Sequence, residues 1–351
     1  LANKNLIING GMTVAQRSTS EASKTTVDGY VCLDRWSIQT GSVGTFTHSQ
    51  SSDVPTGYGF TKSLKIDCTT ADASPDYGLV RQRFEGQNVQ VLRKGTSSAV
   101  PVTLSFWVKS NLTGNFQVNL QDIDTTNMRH IGATYSISSA NTWEKKEITF
   151  AGDTSGPLDN DNAASFNVEW WLAAGSTYNS GSVPTSWAVG TNANRAAGLN
   201  VSIGSSTDNE FYLTGVQLEI GEKATEFEHE SYEATLRKCH RYFVKINDDF
   251  TGSNAYHAWS SIRWGSNQQF ATVALPQPIR GQATVTITGT TGVTFKCDGS
   301  SDGKTAVVHL NTEKTGLVSF YGDSLSFDPA NSKAGLMFIN DDSSIQFDAE
   351  I

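Results

Sequence analysis

Residues 103–109, 116–122 and 166–172 each alternate apolar and polar side chains, so each presents two unlike faces. Leu104, Phe106 and Val108 form one apolar face; Phe116, Val118 and Leu120 form the next, and Phe166, Val168, Trp170 and Leu172 the third. The opposite faces carry Trp107 on the first segment, Asn119 and Gln121 on the second, and Glu169 and Trp171 on the third. A sugar ring has an apolar C–H face that stacks on an aromatic ring, and a hydroxyl rim that hydrogen-bonds to amides and carboxylates. Trp107, Asn119, Gln121, Glu169 and Trp171 are therefore glycan-binding candidates, provided their strands are neighbours in one sheet. Tyr178 and Trp187 join them from the loop 173–195, where aromatics stand among Gly, Ser, Thr and Asn as adaptable contacts. The same residues suit another role, as a surface covered by long loops or by a neighbouring subunit. Trp187 equally suits a plug at the edge of the sheet.

Catalysis finds little support. A glycoside hydrolase needs two carboxylates roughly 5–9.5 Å apart across a cleft, and Glu169 has no evident partner. The six histidines form no HxH or HExxH pattern, and no G-x-S-x-G elbow or phosphate-cradling glycine loop occurs. The expected protein is not an enzyme. The four cysteines, Cys32, Cys68, Cys239 and Cys297, form no CxxC pair and read as buried thiols, with a Cys32–Cys68 bridge left open. Acidic stretches at Asp122–Asp124, Asp153–Asp161 and Asp298–Asp302 offer oxygen ligands, without the spacing of an EF-hand loop. Arg81 and Arg83 read as partners of surface carboxylates.

Short alternating runs bounded by Gly, Pro, Asn and Asp predict an all-β chain. Strands are expected at 63–68, 79–84, 103–109, 116–122, 133–137, 145–150, 166–172, 200–203 and 211–220, enough for a jelly-roll β-sandwich with long loops. Gly215 interrupts the alternation of 211–220, which predicts a bulge or a close backbone approach. Ser231 caps an amphipathic helix whose apolar stripe is Tyr232, Leu236, Cys239 and Phe243. Further strands are expected at 257–264, 268–274, 283–288, 293–297, 305–310, 316–320, 335–340 and 345–349. At 351 residues, two domains are expected. These are a jelly roll over 1–229, then a connector helix and a smaller antiparallel β-sandwich over 230–351.

The runs GVQLEIG and ATEFEHESYEATLRKCHRYF, with NLIINGGMTVAQRSTS at the start and VTLSFWVKSN, NTWEKKEITFAGDTSG and VEWWLAAGS between, carry a family resemblance. They resemble the carbohydrate-binding-module-like jelly roll of tail-fibre and other virion proteins of tailed bacteriophages, over roughly residues 3–245. Residues 270–286 resemble the start of the β domain that often follows. The resemblance implies a virion location, other virion proteins as partners, a homotrimer, and host surface polysaccharide as ligand. Modules of similar fold often hold a structural calcium, partly through an acidic residue of the last strand. Here that place reads Leu213-Thr214-Gly215-Val216, without a carboxylate, which leaves Asp67 and Glu219 as the calcium candidates.

A net charge of -9 argues against nucleic acid and against an electrostatic hold on membranes. No apolar run reaches the roughly 18 residues of a spanning helix. Residues 1–9 lack the succession of a secretory signal, and Leu1 in place of an initiator Met reads as processing or as a cut from a longer chain. The expected function is non-catalytic: a tail fibre or surface appendage that recognises host cell-surface glycan. The alternatives are a capsid or tail decoration protein with no glycan ligand, and a glycan depolymerase.

Overall fold

The structure, a computed structural model, describes residues 4–25, 27–72, 74–124, 128–247, 258–263, 268–281, 283–288, 293–297, 300–303, 307–311, 317–322, 334–339 and 343–351. Two compact units divide the chain between Leu236 and Arg237, with Ile351 grouped with the first. In the first, the strands are β1 (Ser20–Lys24), β2 (Val27–Gly29), β3 (Ser37–Gly41), β4 (Thr45–Ser51), β5 (Ser63–Thr70), β6 (Tyr77–Glu85) and β7 (Val102–Ser110). They continue as β8 (Gly114–Asp122), β9 (Arg129–Ile137), β10 (Glu144–Phe150), β11 (Ala164–Ala174), β12 (Ala188–Val189) and β13 (Glu210–Ile220). Single-turn helices α1 (Gly86–Val89) and α2 (Ser176–Asn179) interrupt the loops.

These strands form a six-stranded sheet, β1-β4-β5-β13-β7-β10, and a seven-stranded sheet, β12-β9-β8-β11-β6-β3-β2. The described pairs are antiparallel, as in Glu169 opposite Asn119 and Leu218 opposite Leu104. The chain passes repeatedly from one sheet to the other, in the manner of a jelly roll. Alternation sorted the inner faces as expected: Leu104, Phe106, Val108, Phe116, Val118, Leu120, Val168 and Trp170 have no exposed surface. Phe106 of the smaller sheet meets Trp170 of the larger edge-on at 5.8 Å, and Trp170 meets Trp36 at 5.6 Å. Burial of that apolar surface is the main favourable term of the fold. Residues 200–203, expected as a strand, instead lead into a 3-10 turn at Ile203–Ser205.

β13 holds the sandwich together. Its first residues pair with β5, Phe211 to Ile66 and Leu213 to Leu64, and its whole length runs beside β7. The register with β7 shifts between Thr214 and Gln217, at Gly215 with φ +60°. Beyond the bulge the pairing with β5 ends, and the backbone groups of 216–218 need new partners. The N-terminal segment supplies them: Leu6 N donates to Leu218 O at 2.9 Å and Val216 N to Gly10 O at 3.0 Å. A Cβ at Gly215 would lie 2.6 Å from the Phe60 ring.

The second unit contains β14 (Phe243–Asn247), β15 (Ala258–Arg263), β16 (Gln269–Ala274), β17 (Thr284–Thr288), β18 (Val293–Cys297), β19 (Ser300–Gly303), β20 (Val307–Asn311), β21 (Leu317–Gly322), β22 (Ala334–Ile339) and β23 (Ser344–Asp348). They form a three-stranded sheet, β14-β23-β17, and a seven-stranded one, β19-β18-β22-β15-β16-β21-β20. Val244, Ile345 and Phe347 of the former share a core with Val273, Phe295, Phe320 and Met337 of the latter. Helix α3 (Tyr232–His240) starts at Ser231, whose Oγ accepts from Ala234 N at 3.2 Å. It is shorter than expected, because Phe243 already belongs to β14. Its stripe is split: Cys239 and Phe243 are buried, while Tyr232 is 55% exposed. Among the described residues no helix is long and apolar enough to cross a membrane. Cys32, Cys68 and Cys239 are buried and not bridged by a disulfide.

Two measurements check this architecture. Gly215→Ala is expected to cost at least about 1–2 kcal/mol in denaturant unfolding, from the left-handed backbone alone, with the Phe60 clash in addition. His48 on β4 is fully buried, and neither ring nitrogen has a hydrogen-bond partner among the described residues. Burial first, then the Lys24 charge, push its imidazole from 6.5 down to about 4. The unfolded chain thus takes up a proton that the folded chain refuses. Stability should be fully present above pH 6.5 and fall as the pH drops toward 4, by roughly 3 kcal/mol. His48→Leu should flatten the stability profile across that window.

Candidate functional site

The expected glycan face splits in two. β8 and β11 are neighbours, so Asn119, Gln121, Glu169 and Trp171 lie on one outer face of the seven-stranded sheet. Trp107 does not join them, because β7 belongs to the six-stranded sheet.

The face of β8 and β11 is not open. The chain from 175 to 199 crosses it as a strap, leaving Glu169 with no exposed surface and Trp171 and Asn119 with 1% each. Buried polar groups need partners, and the strap provides several of them. Asn119 Nδ2 donates to Arg195 O at 2.7 Å, Gln117 Nε2 to Asn194 O at 3.1 Å, and Gly198 N to Gln117 Oε1 at 2.7 Å. Arg195 Nη2 donates to both oxygens of Glu169, at 2.9 and 3.1 Å. The same guanidinium lies over the Trp171 ring at 5.0 Å, and Tyr178 closes on Trp171 at 5.2 Å. Gln121 accepts from Asn167 Nδ2 at 3.1 Å and donates to Met128 Sδ. Arg81, expected at the surface, is buried with Glu169 3.9 Å away. These residues form a sealed polar layer in which Trp171 has no free stacking plane.

The far end of the strap covers a second buried cluster. Lys94 Nζ lies 2.5 Å from Asp122 Oδ2, 2.8 Å from Asp153 Oδ2 and 2.9 Å from Gly156 O. Arg129 adds two hydrogen bonds to Asp153, at 2.7 and 3.0 Å. Burial alone would push the Asp153 carboxyl up, but the hydrogen bonds from Arg129, Lys94 and Ser155 N hold it below its ordinary value. Trp187 completes the site: its ring lies 4.6 Å from the Lys94 ammonium, and its Nε1 donates to Ala151 O at 2.7 Å. Trp187 thus plugs the sandwich edge. Two of the acidic stretches read as possible calcium loops meet here, around an ammonium. Asp298 lies outside the described residues.

Asp67 and Glu219 are not brought together. Asp67 faces Glu210 at one end of β13 and Lys65 at 3.5 Å, whereas Glu219 lies opposite Thr103 at the other end. Glu219 accepts from Thr225 N at 2.7 Å, Thr225 Oγ1 at 2.8 Å and Gln217 Nε2 at 3.0 Å, which fixes the turn after β13. Among the described residues no three His, Cys, Asp or Glu side chains gather in a way that could hold a metal ion.

Trp107, on the outer face of the six-stranded sheet, is half-buried under Tyr58, with ring centroids 4.4 Å apart. Beside this pair opens a groove of about 600 Å³ that contains none of the expected residues. One wall is a triad of rings: Phe60 lies 5.0 Å from both Phe227 and His229, and those two are 4.9 Å apart. Asn5, Lys62, Glu228, Glu230 and the exposed ring of Tyr232 also line it. Glu228 Oε2 accepts from Asn5 N at 3.2 Å. The sequence signal was present in the dense aromatic and acidic run 226–232, but its place in the groove depends on the N-terminal segment and the stretch after β13 both meeting that strand.

No family model matches the chain, and no curated protein matches it. Among solved structures it is similar to the enzymatically active domain of tailspike protein 4 of bacteriophage CBA120. The identity is 13% over 63% of this chain and 22% of that chain, with a TM-score of 0.34. It is also similar to the family 11 carbohydrate-binding module of the cellulase Lic26A-Cel5E of Clostridium thermocellum, at 15% identity, 57% and 96% coverage and a TM-score of 0.30. A third is the CBM22-1 xylan-binding domain of Xyn10C from Paenibacillus barcinonensis, at 11%, 58% and 94%, with a TM-score of 0.29. Likenesses this distant leave the fold to be read from the strands themselves.

Lys94→Met should leave two buried carboxylates without their ammonium. Removing one partner of a buried pair costs about 3–5 kcal/mol, so the urea midpoint should fall by a corresponding amount. Lys94→Arg, which keeps the charge, should lose less.

Proposed function

We propose that this chain is a non-catalytic glycan-recognition protein displayed on the particle of a tailed bacteriophage, as a tail fibre or surface appendage. The virion location, the companion virion proteins and a homotrimeric state rest on the resemblance of residues 3–245 to that family. The glycan reading is carried by one observation, the groove beside Phe60, Phe227 and Tyr232. It combines an aromatic wall with amide, carboxylate and ammonium groups, the pairing that a sugar's C–H face and hydroxyl rim require. Binding there is weak per site and is strengthened by several copies on one particle. The seven residues read from the strands and the strap act in this reading as structure: the sealed layer rigidifies the module that presents the groove. Lys94 bridges Asp122 and Asp153 as a cation would, and this reading requires no resident calcium: a chelator should leave the melting temperature unchanged.

A second reading, a capsid or tail decoration protein without a glycan ligand, is favoured by a specific observation. Trp171 lies under the strap and Trp107 under Tyr58. The depolymerase reading loses its one named carboxylate, since Glu169 is sealed and paired with Arg195.

A glycan array probed with the full chain separates these. Binding should appear without release of reducing ends, and Tyr232→Ala should weaken it about tenfold, the scale of one aromatic contact. Unchanged binding in Tyr232→Ala and Phe227→Ala would remove the groove from consideration. Absence of glycan binding together with attachment at the capsid shell would establish the second reading.

A further inference from the structure

Among the described residues the four sheets have eight edge strands. An edge strand is a ready template for another strand unless it is very short or carries charge, proline or a bulge. Seven of the eight meet that condition. β12 has two residues and β2 has three, while β1 carries Lys24, β10 Lys145, β14 Lys245, β19 Asp302 and β20 His309. β17 is the exception. Its five residues, Thr284-Val-Thr-Ile-Thr288, are all β-branched, and no charged residue or proline occurs from 281 to 295.

One side of β17 pairs with β23, Thr286 opposite Gln346, and no described strand lies on the other. Thr284, Thr286 and Thr288 are exposed. Val285 and Ile287 pack against the core of the second unit and are only half-buried, so a further strand would complete their cover. The strand is also a palindrome by side-chain type: threonine alternates with a branched aliphatic, read from either end. A second copy laid antiparallel, with Thr286 opposite Thr286, sets Thr284 opposite Thr288 and Val285 opposite Ile287. Hydroxyl then meets hydroxyl on the outer face and aliphatic meets aliphatic on the core face, pairings that stabilise a sheet. A slip of one residue would turn the partner's aliphatics outward. Self-complementarity is what a twofold contact requires of its surface, and it singles out a second copy over an unrelated strand.

We infer that two copies of the chain join edge to edge through β17. The three-stranded sheet of each continues into the other, giving one six-stranded sheet about a twofold axis at Thr286. This contact is separate from the glycan role and from the threefold association proposed above. It joins copies, or assemblies of copies, in pairs.

Engineered thiols in the full chain read the register. Thr286→Cys should cross-link copy to copy under mild oxidation, because the two positions face each other. Thr284→Cys or Thr288→Cys alone should not, whereas a mixture of those two variants should. The unsubstituted chain controls for the native thiols. Sedimentation equilibrium should show even numbers of copies. Thr286→Lys sets like charges directly opposite each other and should weaken the pairing at least about tenfold. Position 286 is exposed, so the variant should keep the circular dichroism of the parent chain. A chain that stays as one copy or as three, without linkage at 286, overturns the inference. Equal cross-linking at 284, 286 and 288 overturns it as well, and so does pairing that Thr286→Lys leaves unchanged.

Discussion

The polar outer face of the seven-stranded sheet is buried by the protein's own chain, and much of the first unit follows from that. A sheet face carrying amides, a glutamate and tryptophan is ordinarily left in water. Once the strap at 175–199 covers it, each polar group must find a partner or bear the full penalty of desolvation. Arg195 answers most of this demand. Its backbone oxygen takes the Asn119 amide, and its guanidinium takes both oxygens of Glu169 while lying on Trp171. The layer is therefore specific as well as buried. A buried network of this kind favours one arrangement of the strap, since any other forfeits the two hydrogen bonds from Arg195 to the buried Glu169 carboxylate.

The same logic governs the edge, where Asp122 and Asp153 would repel one another without Lys94 between them. An ammonium, a π face and a carboxylate recur at Lys94 and at Lys109 as structural pins. One pins the strap to the sandwich edge. The other ties the loop carrying Asp53 to the outer face of the six-stranded sheet, with Trp143 Nε1 also donating to Asp53 at 2.9 Å. The groove beside Phe60 sets rings and carboxylates in one concave lining.

The bulge at Gly215 links fold and groove. Because β13 leaves β5 at that point, the N-terminal segment is drawn onto it, and Asn5 and Gly11 come to line the groove opposite 227–232. The left-handed glycine also makes room for the Phe60 ring. A residue chosen for backbone geometry thus places an aromatic of the proposed site.

The sequence by itself determined the all-β class, the inner faces of β7, β8 and β11, the Gly215 irregularity and the Ser231 cap. Each is local, set by side-chain alternation or by one backbone position. The sequence did not determine what covers an outer face. Trp107, Trp171, Asn119, Gln121 and Glu169 read alike on their strands, yet sheet membership sends Trp107 to the opposite side, and the strap seals the rest. Nothing within a few residues of Lys94 or Arg195 marks either as the partner of a buried carboxylate. Lys94 meets Asp122 and Asp153 across 28 and 59 residues, and Arg195 meets Glu169 across 26. Asp67 and Glu219 fall at opposite ends of β13 for the same reason. Alternation tells which side of a strand a residue faces, and only the tertiary structure decides whether that side meets water, another sheet or the chain itself.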